Sequence, residues 1–114
     1  MRARVEEATG ERFDCALLNL YRDERDSVDW HADDERELGP EPVVAALSLG
    51  ETRRFELRRK DDHRVRFALE LPSGSLLLMA GALQRHWQHR VPKERHPCGE
   101  RISVTFRRHW RSRA

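Results

Sequence analysis

Seven short runs of alternating apolar and polar residues, separated by glycine, proline and aspartate, take up most of this 114-residue chain. They lie at residues 13–21, 43–49, 53–59, 65–71, 75–79, 87–91 and 101–109. Turn residues punctuate them: Gly39-Pro40, Gly50, Asp61-Asp62, Pro72-Ser73-Gly74, Pro92 and Pro97-Cys98-Gly99. Runs this short with a period of two are strands. Seven in one domain's length of chain predict a mainly β fold, an antiparallel sandwich, barrel or jelly roll. Residues 2–11 read differently. They are polar, end at Gly10, and have the form of a helix tail with a glycine stop. Residues 22–42 are long, acidic and aperiodic, which predicts a functional or disordered loop.

Composition narrows the classes. Charged side chains make up 37% of the chain against about a quarter in ordinary domains. The longest apolar run, 76–80, is far short of a bilayer span, so no membrane role is expected. No charged-then-apolar leader opens the chain. Cys15 and Cys98 are the two cysteines and form no CxxC, which predicts a reduced, cytoplasmic setting. Cys15 is expected as a buried small hydrophobe and Cys98 as an exposed turn thiol. The net charge of +2 hides an asymmetry. Residues 1–42 carry 6 basic and 13 acidic side chains, whereas residues 85–114 carry 9 and 2. A basic C-terminal third suits a phosphate backbone or small carboxylates. An arginine-rich composition with a solvated face accounts for it equally.

The strand alternation singles out particular residues. In 101–107, Arg101, Ser103, Thr105 and Arg107 share one face, and Ile102, Val104 and Phe106 share the other. Asn19 and Tyr21 share a face in the same way, opposite Leu18 and Leu20. In a single sheet the polar face would be solvated; in a closed jelly roll it would line a pocket. Arg101 and Arg107 lie about 20 Å apart at ~3.3 Å per residue. Their side-chain reach is enough to grip the two ends of a short dicarboxylate.

His31-Ala32-Asp33 places an imidazole and a carboxylate on the same side of an extended chain, with Cα atoms roughly 7 Å apart. That spacing lets both converge on one metal. His63, His86, His89, His96 and His109 are the candidates for a third ligand. Two imidazoles and one carboxylate leave open positions of the kind non-haem Fe(II) oxygenases use. Spacing alone does not decide between His86 and His89.

Taken together, these residues resemble the AlkB family of Fe(II)/2-oxoglutarate-dependent dioxygenases. The resemblance runs from about Arg4 to Arg107. It includes Asn-Leu-Tyr-Arg-Asp-Glu-Arg-Asp-Ser-Val-Asp-Trp-His-Ala-Asp-Asp-Glu from Asn19, Trp-Gln-His-Arg-Val-Pro-Lys from Trp87, and Thr-Phe-Arg at the end of the last strand. These blocks look most like the eukaryotic nucleic-acid demethylase branch.

The resemblance implies a double-stranded β-helix, with His31, Asp33 and His89 as iron ligands. It implies Asn19, Tyr21, Arg101, Ser103, Thr105 and Arg107 around 2-oxoglutarate, with Arg101 and Tyr21 at the far carboxylate. Arg107 and Asn19 would lie nearer the metal-chelating end. Ser103 stands where the family commonly has Asn, which shortens or removes one polar contact. Asp34 and Glu35 match acidic positions near the substrate base. Implied cofactors are Fe(II), 2-oxoglutarate and dioxygen. The implied reaction is oxidative dealkylation of N-alkylated bases, on alkylated single-stranded DNA or RNA, by a monomer.

The expected organisation is a helix end over 1–12, the dioxygenase core over 13–111 and a tail over 112–114. The family's nucleotide-recognition lid has no counterpart in the residues before the core. This keeps two alternatives open beside the demethylase reading, a same-fold dioxygenase acting on protein or small molecules and a truncated core without turnover. Trp30, beside a ligand, does not replace the lid's stacking aromatics. Arg90, Lys93, Arg95, Arg108 and Arg111 are the expected phosphate contacts.

Overall fold

The computed structural model describes residues 1–33, 42–80 and 82–108. It opens with α1 (Arg2–Thr9), followed by β1 (Cys15–Tyr21), β2 (Val28–His31), β3 (Val44–Gly50), β4 (Arg53–Arg59) and β5 (Arg66–Leu71). Then come β6 (Leu76–Met79), α2 (Ala82–His86), β7 (Trp87–Val91) and β8 (Arg101–Arg107). The described strands form two four-stranded sheets, ordered β1-β8-β3-β6 and β2-β7-β4-β5. Every pairing is antiparallel. Apart from the β4–β5 hairpin, each connection crosses from one sheet to the other, which is the winding of a double-stranded β-helix. The mainly β jelly roll expected from the strand pattern is therefore what forms.

Two elements differ from the sequence expectation. Residues 22–42 are not all loop, because β2 lies within them. Its four residues, Val28-Asp29-Trp30-His31, are too few and too polar to show a period. They pair with β7 only at Val28↔Val91 and His31↔His89, with a register irregularity between. The five-residue α2 is also too short for a helical period to show, and it ends at His86, directly before the strand that carries His89. Strand ends shift by one or two residues elsewhere, and residue 109 lies outside the described set.

Two apolar layers hold the fold. Between the sheets, Tyr21, Val44, Phe55, Leu57, Leu71, Met79 and Val91 are buried together. Outside the first sheet, α1 lays Val5 across the outward face, where it packs with Phe13, Ala45, Val104 and Phe106. The Phe13 and Phe106 rings stand 6.1 Å apart. Gly10 ends α1 at φ 73°, and its N–H donates to the Glu6 carbonyl at 2.9 Å. The Glu6 carboxylate then accepts from the Phe13 N–H at 2.7 Å and turns the chain toward the sheet. This covers the outward side of Val104 and Phe106, so the apolar face of β8 points out against α1 and its polar face points in. Cys15 and Cys98 are both half-buried free thiols, so neither fully buried nor fully exposed. No described helix is long and apolar enough to cross a membrane.

Gly50 ends β3 at φ 97°, opposite Arg101. A methyl group there would collide with the Glu100 carbonyl oxygen as well as strain the backbone. Gly50→Ala is expected to cost about 1–3 kcal/mol or more, lowering Tm by roughly 4–8 °C per kcal/mol in a domain of this size. Thermal unfolding followed by circular dichroism measures this. An unchanged Tm would show that the turn relaxes freely.

Candidate metal and cosubstrate site

His31 closes β2, Asp33 follows two residues later, and His89 lies mid-way along β7. The pairing of His31 with His89 across the two strands brings the three together. One ligand-capable atom from each of the three lies within 4.8 Å of the others, the only such His/Cys/Asp/Glu trio among the described residues. This settles on structural grounds the choice that spacing left open: His89 belongs to the cluster, while His63, His86 and His96 do not. His109 lies outside the described residues.

Contacts around the trio pre-orient its donor atoms. His31 Nδ1 lies 2.8 Å from the Asp29 carbonyl oxygen. A carbonyl only accepts, so Nδ1 donates here and Nε2 is the ring nitrogen left to serve as a ligand. His89 Nε2 faces Asp33 Oδ2 at 3.4 Å, and the His89 ring stacks on Phe55 with centroids 5.3 Å apart. Arg107 Nη2 donates to Asp33 Oδ1 at 2.7 Å, leaving Oδ2 directed at His89. Burial pushes the Asp33 carboxyl up. The hydrogen bond from His89 and the charges of Arg107, His89 and His31 outweigh that, and hold it below the usual carboxylate range. Two imidazole nitrogens and one carboxylate oxygen, with Asp33 and His89 buried and His31 half-buried, are the donor set that suits a divalent iron.

The same pocket continues along the inward face of the first sheet. All nine described residues expected at the site line it: Asn19, Tyr21, His31, Asp33, His89, Arg101, Ser103, Thr105 and Arg107. Cross-strand register explains the gathering. Tyr21 and Gly50 flank Arg101, Asn19 and Ser48 flank Ser103, and Leu17 and Ala46 flank Thr105. Asp34 and Glu35, expected near a substrate base, lie outside the described residues.

At the end away from the trio, Arg101 is 2% exposed. Its Nη2 donates to Ser48 Oγ at 2.8 Å, while Nε and Nη1 are buried with no hydrogen-bond partner. Its guanidinium stands over the Tyr21 ring at 5.0 Å, and that of fully buried Arg53 does so at 5.3 Å. Burial raises the Tyr21 pKa against the pull of both arginines, so the phenol stays protonated and able to donate. Buried guanidinium N–H groups left without acceptors are costly unless a ligand supplies one, and a carboxylate matches their fork. This fits the far carboxylate of 2-oxoglutarate.

Sequence reasoning missed Ser48, Gln84 and Arg53. Ser48 was legible as the one polar residue in the apolar β3. Arg53 is hidden by the abundance of arginine. It ties the β1–β2 and β7–β8 connections together, donating to the Asp23, Asp26 and Pro92 carbonyls. Trp30 alternates with His31 and turns outward, held by the guanidiniums of Arg58 at 4.2 Å and Arg90 at 4.6 Å. Arg90 is also ion-paired with Glu56, so it is committed to the protein's own surface. Lys93 and Arg95 are exposed.

A jelly roll holding two histidines and an aspartate beside a buried arginine defines the class of non-haem iron oxygenase folds. Residues 1–107 match the 2OG-Fe(II) oxygenase superfamily, and the chain belongs to it. It is 50% identical to the rat alpha-ketoglutarate-dependent dioxygenase alkB homolog 3, over 94% of this chain and 39% of the relative. It is 38% identical to the mouse DNA oxidative demethylase ALKBH2, over 95% of this chain and 48% of the relative. The chain thus spans about two fifths to one half of the curated relatives it matches. A solved structure titled "The structure of OsALKBH1" superposes with a TM-score of 0.71 at 24% identity. It covers 87% of this chain and 49% of that one, and carries the likeness of fold.

Proposed function

We propose that this chain is the catalytic core, over residues 13–111, of an Fe(II)- and 2-oxoglutarate-dependent dioxygenase that removes N-alkyl groups from bases in DNA or RNA. The observation that carries the proposal is one continuous pocket with the His31/Asp33/His89 trio at one end and buried Arg101 at the other. The relatives named for alkB homologues and for DNA oxidative demethylation support the substrate class.

His31, Asp33 and His89 would hold the iron, with His31 presenting Nε2 because Nδ1 is occupied by the Asp29 carbonyl. When bound, iron supplies dioxygen activation coupled to oxidative decarboxylation of 2-oxoglutarate to succinate and CO₂. The N-alkyl carbon is thereby hydroxylated, and the group leaves as an aldehyde. The chain's own residues bind and orient. Arg101, with Ser48 and Tyr21, holds the far carboxylate, and Asn19 and Arg107 face the other end. Thr105 and Ser103 line the wall between. Arg107 keeps the Asp33 carboxylate ionised and fixed through Oδ1. A base would have to be flipped out or already single-stranded to reach the pocket. Lys93 and Arg95 are the exposed cations proposed to meet the phosphate backbone.

The test is succinate and aldehyde release with Fe(II), 2-oxoglutarate and an N-methylated single-stranded oligonucleotide, repeated across salt. Turnover is expected only with the alkylated strand. Affinity should fall with a log–log salt slope of about −0.7 per phosphate contact. Turnover with alkylated peptides or small molecules instead would keep the dioxygenase and discard the nucleic-acid substrate.

A further inference from the structure

We infer that Gln84 is a positioning residue for the metal. Through one hydrogen bond to the Asp33 backbone it sets where the Asp33 carboxylate stands, so metal affinity depends on a side chain that touches no metal. The inference rests on the reading of His31, Asp33 and His89 as the metal-holding set.

Asp33 lies beyond the end of β2, and the ladder to β7 stops at His31↔His89. The sheet therefore does not hold its backbone. Instead, the Asp33 N–H donates to Gln84 Oε1 at 3.0 Å in a buried bond. Gln84 is 1% exposed and Asp33 3%. The carboxylate is gripped separately, by Arg107 at Oδ1. Asp33 is thus held at two points, its peptide by α2 and its side chain by β8.

The clamp is tied to a second ligand. α2 runs directly into β7, so the segment that presents Gln84 also presents His89. Leu83 seats α2 by packing against the inner core. Any shift of α2 would move the Asp33 peptide and His89 together, which keeps the donor atoms in register.

Packing does not account for the amide. Gln84 Nε2 is buried and has no hydrogen-bond partner. A methionine would fill the same space and remove the unpaired Nε2, but it would leave the buried Asp33 N–H without its acceptor, so what distinguishes glutamine here is its acceptor oxygen.

The experiment is a titration of the metal-free protein with Co(II), read by visible absorption, alongside thermal unfolding of the metal-free protein. Gln84→Met is expected to weaken Co(II) binding by about 10- to 100-fold and shift the absorption bands, with Tm close to that of the wild type because relief of the unpaired Nε2 offsets the loss of the Asp33 N–H acceptor. Gln84→Asn, whose amide is withdrawn by one methylene, should weaken binding likewise. Gln84→Glu retains an acceptor oxygen and should restore most of the affinity. Leu83→Ala, which loosens α2 but leaves the hydrogen bond, should lower Tm with affinity near that of the wild type. Wild-type affinity in Gln84→Met, or an equal loss in Leu83→Ala, would overturn the inference alone. A wild-type protein that takes up no Co(II) would overturn the metal reading and this inference with it.

Discussion

Asp33→Ala is expected to abolish metal uptake and turnover, weakening Co(II) or Fe(II) binding by about 100-fold or more. The loss should exceed the 10- to 100-fold that indirect contacts carry, because the group removed is itself a donor. In the proposed site Asp33 is the one anionic ligand of the trio, and it accepts the Arg107 Nη2 bond. Without it, two imidazoles and no anion face the Arg107 guanidinium, an arrangement that disfavours a divalent cation. Asp33→Asn keeps the shape and discards the charge, so it should fail nearly as badly. Equilibrium titration by absorption or calorimetry reads both. Wild-type affinity in either variant would remove Asp33 from the site.

Arg101→Met gives the second large effect, with a different signature. Removing a buried charge from a carboxylate pair costs about 2–5 kcal/mol. At 1.4 kcal/mol per tenfold, the KM for 2-oxoglutarate should rise from ~30-fold to a few thousandfold. Fold stability should move the other way. The guanidinium is 2% exposed with Nε and Nη1 unmatched, and an apolar side chain of similar length relieves that cost. The expected result is a weakened cosubstrate with Tm held or raised. A fall in Tm with KM unchanged would make Arg101 a structural cation.

The alternation in 101–107 was visible in the sequence, but which face looks inward was not. That depends on α1 covering Val104 and Phe106, a contact between chain segments far apart in sequence. His-x-Asp pointed to a metal pair, yet spacing did not decide between His86 and His89 until the pairing of β2 with β7 set His89 opposite His31. β2 escaped notice because its two ladder pairings are interrupted by an irregularity and its residues are polar. Arg53 and Gln84 act through side-chain geometry across strands or from a single helical turn, and no local period marks such residues; Ser48 stood out only as the one polar residue of β3. The family resemblance supplied the roles of Asn19 and Tyr21, which strand register then placed opposite Ser103 and Arg101.

The most direct measurement is anaerobic reconstitution with Fe(II) and 2-oxoglutarate, followed in the visible region with Asp33→Ala as control. A weak charge-transfer band of the chelated cosubstrate is expected in the wild type and absent in the variant. It would report at once that the trio holds iron and that the pocket toward Arg101 admits 2-oxoglutarate. Folded protein that takes up Fe(II) and 2-oxoglutarate but gives no band, or a band that survives in Asp33→Ala, would contradict the account.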